Sequence, residues 1–248
     1  MKVVAIIQAR MGSTRLPGKV MKSLCGKTVL SHVIARVQAC PYVDEVVVAT
    51  TTVPQDDVIV KESEMAGAKV FRGSEGDVLS RYYEAAKETC ADIVVRVTSD
   101  CPLFDPQVLS RMITLFLKLN ASQPVVDYLG NSLESSFPVG LGAEIFSFVA
   151  LEKASIEATK EYEREHVTPY IYLNPELFAV RNFANDEDLS FHRWTLDTSE
   201  DFELITTIYE RLGKDGELFS TKSILDLFLK EPQLINVNSH VHQKQLGE

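Results

Sequence analysis

Short runs of β-branched and apolar residues alternate with helically periodic segments through the first half of the chain. Continuous apolar runs of this length are typical of strands covered on both faces of a sheet. Strands of this type are predicted at Val3–Ile7, Glu45–Thr50, Ala68–Phe71 and Ile93–Val97. Amphipathic helices are predicted between them at Val29–Ala39, Asp56–Ala66 and Asp77–Thr89. This alternation predicts a mostly parallel sheet wrapped by helices, and therefore an α/β fold.

The second half of the chain mixes strands and helices less regularly. Pro106 suits the first turn of a helix that runs to Leu119, with Asp105 as its N-cap. Further strands are predicted at Val125–Tyr128, Ala143–Phe148 and Phe178–Asn182, and further helices at Phe148–Ala158, Tyr162–Tyr172, Ser199–Leu212 and Thr221–Lys230. Because no repeat or Gly/Pro/Ser-rich linker interrupts the pattern, we expect one domain over residues 1–240 and a polar tail over residues 241–248.

Charge and composition exclude several classes of function. The 248 residues include 25 basic and 35 acidic side chains, and the resulting net charge of −10 argues against nucleic-acid binding by bulk electrostatics. No apolar run approaches the ~18 residues of a membrane span, and the run after Lys2 is too short for an export signal, so no membrane partner is expected. Four widely spaced cysteines without a CxxC pair favour a reducing, cytoplasmic location.

The segment after the first predicted strand, QARMGSTRLPGK over residues 8–19, concentrates the candidate chemistry. Ligands of open α/β sheets bind beyond the carboxyl ends of the strands, where this loop must lie. Its small residues let backbone amides approach an anion, and it carries three cations, Arg10, Arg15 and Lys19. We interpret it as a polyphosphate-binding loop that is neither a Walker loop nor a GxGxxG loop. The alternative is a solvated turn whose cations pair with nearby acids.

Two acidic motifs lie at the ends of later predicted elements, one after a strand and one before a helix. RVTSDCP, residues 96–102, places Asp100 at the carboxyl end of a predicted strand, and RWTLDTSED, residues 193–201, contains Asp197. Each acid has a structural alternative: Asp100 could cap the turn at Pro102, and Asp197 or Thr198 could cap the next helix, with Glu200 or Asp201 completing a capping box. Beside a polyphosphate, however, two carboxylates suit Mg²⁺.

Five motifs carry a resemblance to a known family. IIQARMGSTRLPGKV, RGSEGDVLSRY, RVTSDCPLFDP, REHVTPYIY and RWTLDTSEDFELI occur in this order and cover most of the chain. They resemble cytidylyltransferases of the spore coat polysaccharide biosynthesis type. They are more distantly similar to 3-deoxy-manno-octulosonate and acylneuraminate cytidylyltransferases. The opening motif is specific to this nucleotidyltransferase superfamily and does not identify the acceptor.

The resemblance implies a fold and a nucleotide site. The fold is a three-layer α/β/α sandwich of the GT-A-like nucleotidyltransferase type, in a protein that forms a homodimer. CTP would lie over the first loop, and Mg²⁺ would be held by Asp100 and Asp197. The triphosphate would be bound by the cations Arg10, Arg15 and Lys19, above the backbone of Ala9, Met11, Gly12 and Ser13. The base and ribose would be read near Arg72, Gly73 and Thr98.

The resemblance also indicates where an acceptor would bind. The candidates are Glu144, Arg164, Glu165 and His166, and Arg164 could pair with the carboxylate of a sugar acid. The alternative for Arg164 and Glu165 is a solvated helix face or a dimer contact. Gly142 stands where relatives often have Asp. Trp194 is expected in the core or in a pocket wall.

The function implied is transfer of CMP from CTP to a hydroxyl group of a sugar or sugar acid. That hydroxyl attacks the α-phosphorus and expels pyrophosphate, whose charge Lys19 and Arg15 would neutralise. No residue is assigned as the general base. Two other classes stay open: a GT-A-like glycosyltransferase that consumes a sugar nucleotide, and a catalytically silent binding partner in polysaccharide assembly.

Overall fold

A seven-stranded sheet forms the centre of the computed structural model, which describes residues 1–121, 126–213 and 218–243. The strands are β1 Val3–Gln8, β2 Ser23–Leu24, β3 Lys27–Thr28, β4 Glu45–Thr51, β5 Lys69–Gly73, β6 Ile93–Thr98, β7 Tyr128–Gly130, β8 Glu144–Ser147 and β9 Val180–Asn182. The order in the large sheet is β5-β4-β1-β6-β8-β7-β9, and β8 runs antiparallel to both of its neighbours. The pairs β1–β4, β1–β6, β4–β5 and β7–β9 are parallel.

Helices cover both faces of this sheet. They are α1 Val29–Gln38, α2 Asp57–Met65, α3 Val78–Glu88, α4 Pro106–Leu119, α5 Phe148–Glu157, α6 Glu161–His166, α7 Pro169–Tyr172, α8 Ser199–Leu212 and α9 Thr221–Lys230. Because side chains alternate along a strand, Ile7 of β1 packs into the core under α1, α2, α4, α8 and α9, and Ile6 packs into the core under α3, α5 and α7. The predicted three-layer α/β/α sandwich is confirmed.

Side-chain caps fix where several helices begin. Asp105 accepts a hydrogen bond from the Gln107 amide at 2.8 Å, which confirms it as the N-cap of α4. Thr198 is the N-cap of α8, and Asp201 completes its capping box. Asp197 therefore does not cap α8, so the capping alternative for that acid is wrong. Its carboxylate is available for other partners.

Some predicted elements differ from those observed. The single helix predicted over Tyr162–Tyr172 is two helices, α6 and α7, separated at Val167, whose φ is 74°. Pro169 begins α7 two residues after this break, at a position where its missing N–H group costs no helical hydrogen bond. The strand predicted at Phe178 begins at Val180. Residues 122–125 lie outside the described residues, and the observed strand there begins at Tyr128.

Two further predictions concern the C-terminal tail and the possibility of a membrane span. Of the predicted tail, residues 241–243 are described, and Gln243 accepts a hydrogen bond from Arg193 at 2.6 Å; residues 244–248 lie outside the described residues. Among the described residues, no helix is long and apolar enough to cross a membrane. A single domain over residues 1–240 stays a prediction.

Candidate active site

The cationic loop leaves β1 at its carboxyl end and closes on itself at Met11. The Met11 carbonyl accepts hydrogen bonds from the amides of Ser13 at 2.8 Å and Gly18 at 3.3 Å. Gly18 has φ 65°, and a Cβ there would lie 3.2 Å from the Met11 side chain, so glycine suits this position. The chain then enters a short 3₁₀ turn, Lys19–Met21. The local turn chemistry thus presents Lys19 at the base of the loop.

A buried carboxylate anchors this loop from below. Asp56, 1% exposed, accepts a hydrogen bond from the Met11 amide at 2.8 Å and another from the Thr51 hydroxyl at the end of β4. The sequence analysis placed Asp56 at the start of a helix and missed this role. No local pattern indicates it, because its partners lie 45 and 5 positions away.

The top of the loop presents donors without protein acceptors. In the described part of the chain, the backbone N–H groups of Gly12, Thr14 and Arg15 donate to no protein group. The exposed guanidinium of Arg10 lies 3.7 Å from Glu75, beyond hydrogen-bond distance. Free amides and a loosely held cation on one loop are the donors that a polyphosphate needs.

Lys19 joins the two acidic motifs. Its Nζ donates to Asp100 Oδ2 at 2.7 Å and to Asp197 Oδ1 at 2.8 Å. The structure therefore brings together the three side chains that the sequence analysis assigned to one site. Burial alone would lower the pKa of Lys19, but the two carboxylates raise it above its ordinary value. Burial would likewise raise the pKa of Asp100, but Lys19 and the Thr98 hydroxyl hold it below its ordinary value.

Asp197 is held by further cations on its second oxygen. Asp197 Oδ2 lies 3.0 Å from Arg15 and 2.9 Å from Arg193. Arg193 is itself fixed by Asp201, with Nε to Oδ1 at 2.9 Å and Nη2 to Oδ2 at 3.0 Å. Asn238 also donates to Asp201 at 2.9 Å. The fully buried Asp201 thus orients Asp197 through Arg193, a positioning role that the sequence analysis did not foresee.

Replacing Asp201 by Asn is expected to destabilise the protein by about 3 kcal/mol, because it removes the two-point charge partner of the buried Arg193 and leaves it only the contact with Asp197. Burial would raise the pKa of Asp201, but Arg193, Asn238 and backbone amides hold it below its ordinary value. A lowered folded-state pKa contributes stability that is present above the unfolded value of about 3.9 and is lost as the pH falls through the folded value.

Chemical denaturation of wild type and Asp201→Asn between pH 7 and pH 3 measures this contribution. The difference in the free energy of unfolding is expected to narrow below about pH 4. A difference that stays constant across this range would contradict the pairing. Glu203→Gln, on the same helix and outside these contacts, serves as the control and is expected to differ little from wild type.

Three residues that the resemblance assigned to the base and ribose have different surroundings. Arg72 donates to the carbonyls of Thr51 at 2.8 Å and Val53 at 3.2 Å and pairs with Asp57 at 2.8 Å. Its donors are thus used within the fold. Thr98 donates to Asp100 Oδ1 at 2.6 Å, which orients that carboxylate. Nucleotide contacts by Arg72, Gly73 and Thr98 stay predictions.

A pocket of about 360 Å³ lies farther along the same edge of the sheet. Glu144 of β8 stands in it, accepting hydrogen bonds from Tyr128 and Thr168, each at 2.6 Å, and from the Arg96 guanidinium. Burial would lower the pKa of Arg96, but the neighbouring Glu144 keeps it raised. The lining consists of Arg96, Tyr128, Ser132, Leu133, Glu144, His166, Thr168 and Tyr172.

Two of the four predicted acceptor residues line this pocket, and Arg164 and the exposed Glu165 do not. Glu144 and His166 are brought together, and burial lowers the pKa of His166, which favours the neutral imidazole near pH 7. Arg164 points elsewhere: it pairs with Asp77 at the start of α3 and donates to the Ser155 carbonyl at 2.8 Å. Its assignment to an acceptor carboxylate is therefore corrected, because its donors hold α6 against α3.

The cation that does stand in the pocket is Arg96. The sequence analysis quoted it in the RVTSDCP motif without assigning it a role. The motif could have indicated this role. Alternate residues of β6 face the same side of the sheet, so Arg96 lies on the face of the strand that leads to Thr98 and the loop with Asp100. Trp194 is fully buried in the core, as predicted.

Two carboxylates are available for a metal, those of Asp100 and Asp197. In the described ranges, no group of three or more His, Cys, Asp or Glu side chains converges as a metal site. Asp100 and Asp197 reach the same Lys19 nitrogen, so one small cation could contact both. Mg²⁺ is typically bound by one or two carboxylates together with phosphate oxygens, and this donor set fits that pattern.

Comparisons with known proteins agree with this geometry. The family model described as cytidylyltransferase matches residues 4–224. The chain is 40% identical to protein MJ1063 of Methanocaldococcus jannaschii, covering 100% of this chain and 99% of that protein. It is 31% identical to the spore coat polysaccharide biosynthesis protein SpsF of Bacillus subtilis, covering 93% and 95% respectively.

Two further similarities concern an enzyme and a solved structure. Over 47% of this chain and 46% of the relative, the identity to a 3-deoxy-manno-octulosonate cytidylyltransferase of Trichlorobacter lovleyi is 36%. The solved structure of a cytidylyltransferase from Leptospira borgpetersenii superimposes with a TM-score of 0.89 at 36% identity and covers 99% of both chains. The fold is therefore that of the Leptospira cytidylyltransferase.

Proposed function

The chain belongs to the cytidylyltransferase family, and from this premise we propose that it transfers CMP from CTP to a hydroxyl group of a sugar or sugar acid, releasing pyrophosphate, for surface polysaccharide or glycoconjugate synthesis. The observation that carries the proposal is the contact of Lys19 with both Asp100 and Asp197, beneath a loop with free amides. The Lys19 ammonium and the loop amides can bind the oxygens of a triphosphate. The two carboxylates beside them can hold a metal ion next to the α-phosphorus that is attacked.

The loop residues bind and neutralise the triphosphate. Gly12 and its neighbours offer backbone donors to phosphate oxygens, while Lys19 and Arg15 lie where they can neutralise the leaving pyrophosphate. The acceptor oxygen forms a bond to the α-phosphorus as the bond from that phosphorus to the bridging oxygen breaks. The hydroxyl proton is released, and we assign no residue as its acceptor. Such chemistry depends mainly on position and charge.

Asp100 and Asp197 would hold Mg²⁺ in this reaction. When bound, the ion would supply positive charge to the phosphate oxygens and lower the pKa of a coordinated hydroxyl group. Thr98 orients Asp100, and Arg193 orients Asp197. Lys19 occupies the space between the two carboxylates and would move onto the phosphates.

The pocket around Glu144 is the place for the acceptor. Its hydroxyl, imidazole and carboxylate groups suit a ligand rich in hydroxyl groups, and Arg96 supplies a cation within reach of a sugar-acid carboxylate. Pocket and metal-binding acids share one edge of the sheet, because Arg96 and Asp100 belong to β6 and the loop after it. The relatives named as a spore coat polysaccharide biosynthesis protein and as a 3-deoxy-manno-octulosonate cytidylyltransferase support this acceptor class. A homodimer and a cytoplasmic location stay predictions.

Pyrophosphate release from CTP is expected to exceed release from UTP, ATP and GTP by at least about tenfold. A site that hydrogen-bonds the edge of a base rejects other bases because its buried polar groups are then left unpaired. The measurement is enzyme-coupled pyrophosphate detection with each triphosphate, Mg²⁺ and a panel of sugars and sugar acids.

The same assay separates the proposal from the two other classes. A glycosyltransferase would consume a sugar nucleotide without releasing pyrophosphate, and a silent binding partner would turn over neither substrate. Equal release from UTP and CTP would contradict the assignment to cytidine nucleotides. Wild-type protein without acceptor is the control for unproductive hydrolysis.

A further inference from the structure

Arg81 is a buried arginine with two donor atoms that have no acceptor among the described residues. It lies in the first turns of α3, is 2% exposed, and packs its aliphatic stem on Gly73, where a Cβ would lie only 2.8 Å from Arg81 Cγ. Within the described part of the chain, its Nε and Nη1 atoms are buried and have no hydrogen-bond partner. The described fold therefore uses the aliphatic stem of Arg81 for packing but makes no hydrogen bond to Nε or Nη1.

Burying an unpaired guanidinium costs folding free energy, and the charged groups near Arg81 do not compensate for it. Asp56 and Glu75 favour its charge and Arg10 opposes it, but none of them forms an ion pair with it; burial lowers the pKa of Arg81. The contrast with Arg36 on the other face of the sheet is informative. Arg36 is equally buried and donates to Tyr209 and to the carbonyls of Phe104 and Phe219. Among the described residues, Arg36 leaves its Nη2 atom unpaired but has acceptors for Nε and Nη1, whereas both Nε and Nη1 of Arg81 are without acceptors.

The place of Arg81 in the sheet separates it from the phosphate chemistry. Gly73, on which it packs, ends β5, and Asp100 follows β6, three strand positions away, or about 14 Å at ~4.8 Å per strand. The reacting phosphate belongs beside Asp100 and Asp197. A nucleotide that extends from there across the loop toward β4 and β5 would bring its base to Arg81.

We propose that Arg81 reads the base, donating hydrogen bonds to the O2 and N3 acceptors of cytosine. The inference rests on the proposed function and deepens it by naming the residue that discriminates cytosine. Cytosine presents two adjacent acceptors, whereas uracil carries a proton on N3, so a guanidinium that donates to both positions rejects uracil. Arg72, which the sequence favoured for this role, has its donors engaged by Thr51, Val53 and Asp57.

The experiment is calorimetric titration of wild type, Arg81→Lys and Arg81→Met with CMP, UMP and inorganic tripolyphosphate. Both variants are expected to bind CMP at least tenfold more weakly and to lose most of the preference over UMP, with tripolyphosphate affinity unchanged. Lysine keeps the charge but presents no planar fork, so it does not restore the preference. Arg36→Met, which removes an equally buried arginine, is expected to keep the preference for CMP over UMP.

A second measurement needs no variant. Wild-type protein is expected to bind 3-deazacytidine monophosphate, which lacks the N3 acceptor, at least tenfold more weakly than CMP. Equal affinity for the two ligands, or an undiminished preference for CMP in both Arg81 variants, would overturn the base-reading role. Loss of tripolyphosphate binding in the variants would overturn it in favour of a phosphate contact. Wild type that binds neither CTP nor CMP would overturn the proposed function as well.

Discussion

Asp100→Asn and Asp197→Asn are each expected to lower turnover of CTP at least about a hundredfold, and the double variant is expected to lose little more than the worse single one. Both carboxylates contact the same Lys19 nitrogen, and residues that act as one unit have strongly non-additive effects. Asn is nearly isosteric with Asp, so it removes the charge while keeping the shape of the side chain.

Steady-state pyrophosphate release and the melting temperature of all three variants test this expectation. Thr198 and Asp201 form the capping box of α8, so a turnover defect in Asp197→Asn is not explained by loss of a helix cap. Near-normal turnover in either single variant would remove that acid from the site. Asp92→Asn, an exposed acid beside the opposite end of β6, is the matched control and is expected to keep full turnover.

Lys19→Met is expected to weaken CTP binding by about ten- to a hundredfold. The substitution removes charge-assisted contacts to the triphosphate, each of which contributes on the order of 1.5–3 kcal/mol. It also leaves Asp100 and Asp197 facing each other without their shared cation. Arg10→Ala is expected to have a smaller effect in the same direction, because Arg10 is exposed.

Equilibrium titration with CTP and with tripolyphosphate measures both effects, and the two ligands are expected to weaken in parallel. Lys22→Met is the matched control: Lys22 lies three residues beyond Lys19 and its ammonium stands over the Phe202 ring. Unchanged affinity in both Lys19→Met and Arg10→Ala would contradict the assignment of the loop to the triphosphate.

Local pattern predicted the elements that build this site. The alternation of apolar runs and amphipathic helices identified the strands β1, β4, β5 and β6, and the wrapped parallel sheet followed from their order. Because the carboxyl ends of parallel strands meet at one edge, the loop with Lys19 and the acid after β6 could be placed together from sequence. The structure confirms this contact and brings Asp197, which the sequence analysis had also assigned to the site, to the same Lys19 nitrogen.

The sequence pattern did not predict contacts between segments that are far apart in the chain. Arg164 carried the charge expected of a carboxylate partner, but its guanidinium pairs with Asp77, the N-cap residue of α3, 87 positions away. Arg96 stands in the pocket instead, because β6 pairs with β8 and brings it opposite Glu144. Such pairings depend on which strand becomes a neighbour, and periodicity carries no information about that choice.

The sequence by itself determined the α/β class, the order of the strands along the chain, the cationic loop and the two acids, because each depends on neighbours within a few residues. The tertiary structure alone decided which side chains remain available. The Asp56 carboxylate accepts a hydrogen bond from the Met11 amide, and the Arg72 guanidinium donates to carbonyls near β4. Among the described residues, two donor atoms of Arg81 remain unpaired. The physical reason is that a hydrogen-bond donor is satisfied or left free by whatever acceptor the folded chain brings within about 3 Å, and that acceptor is set by long-range packing.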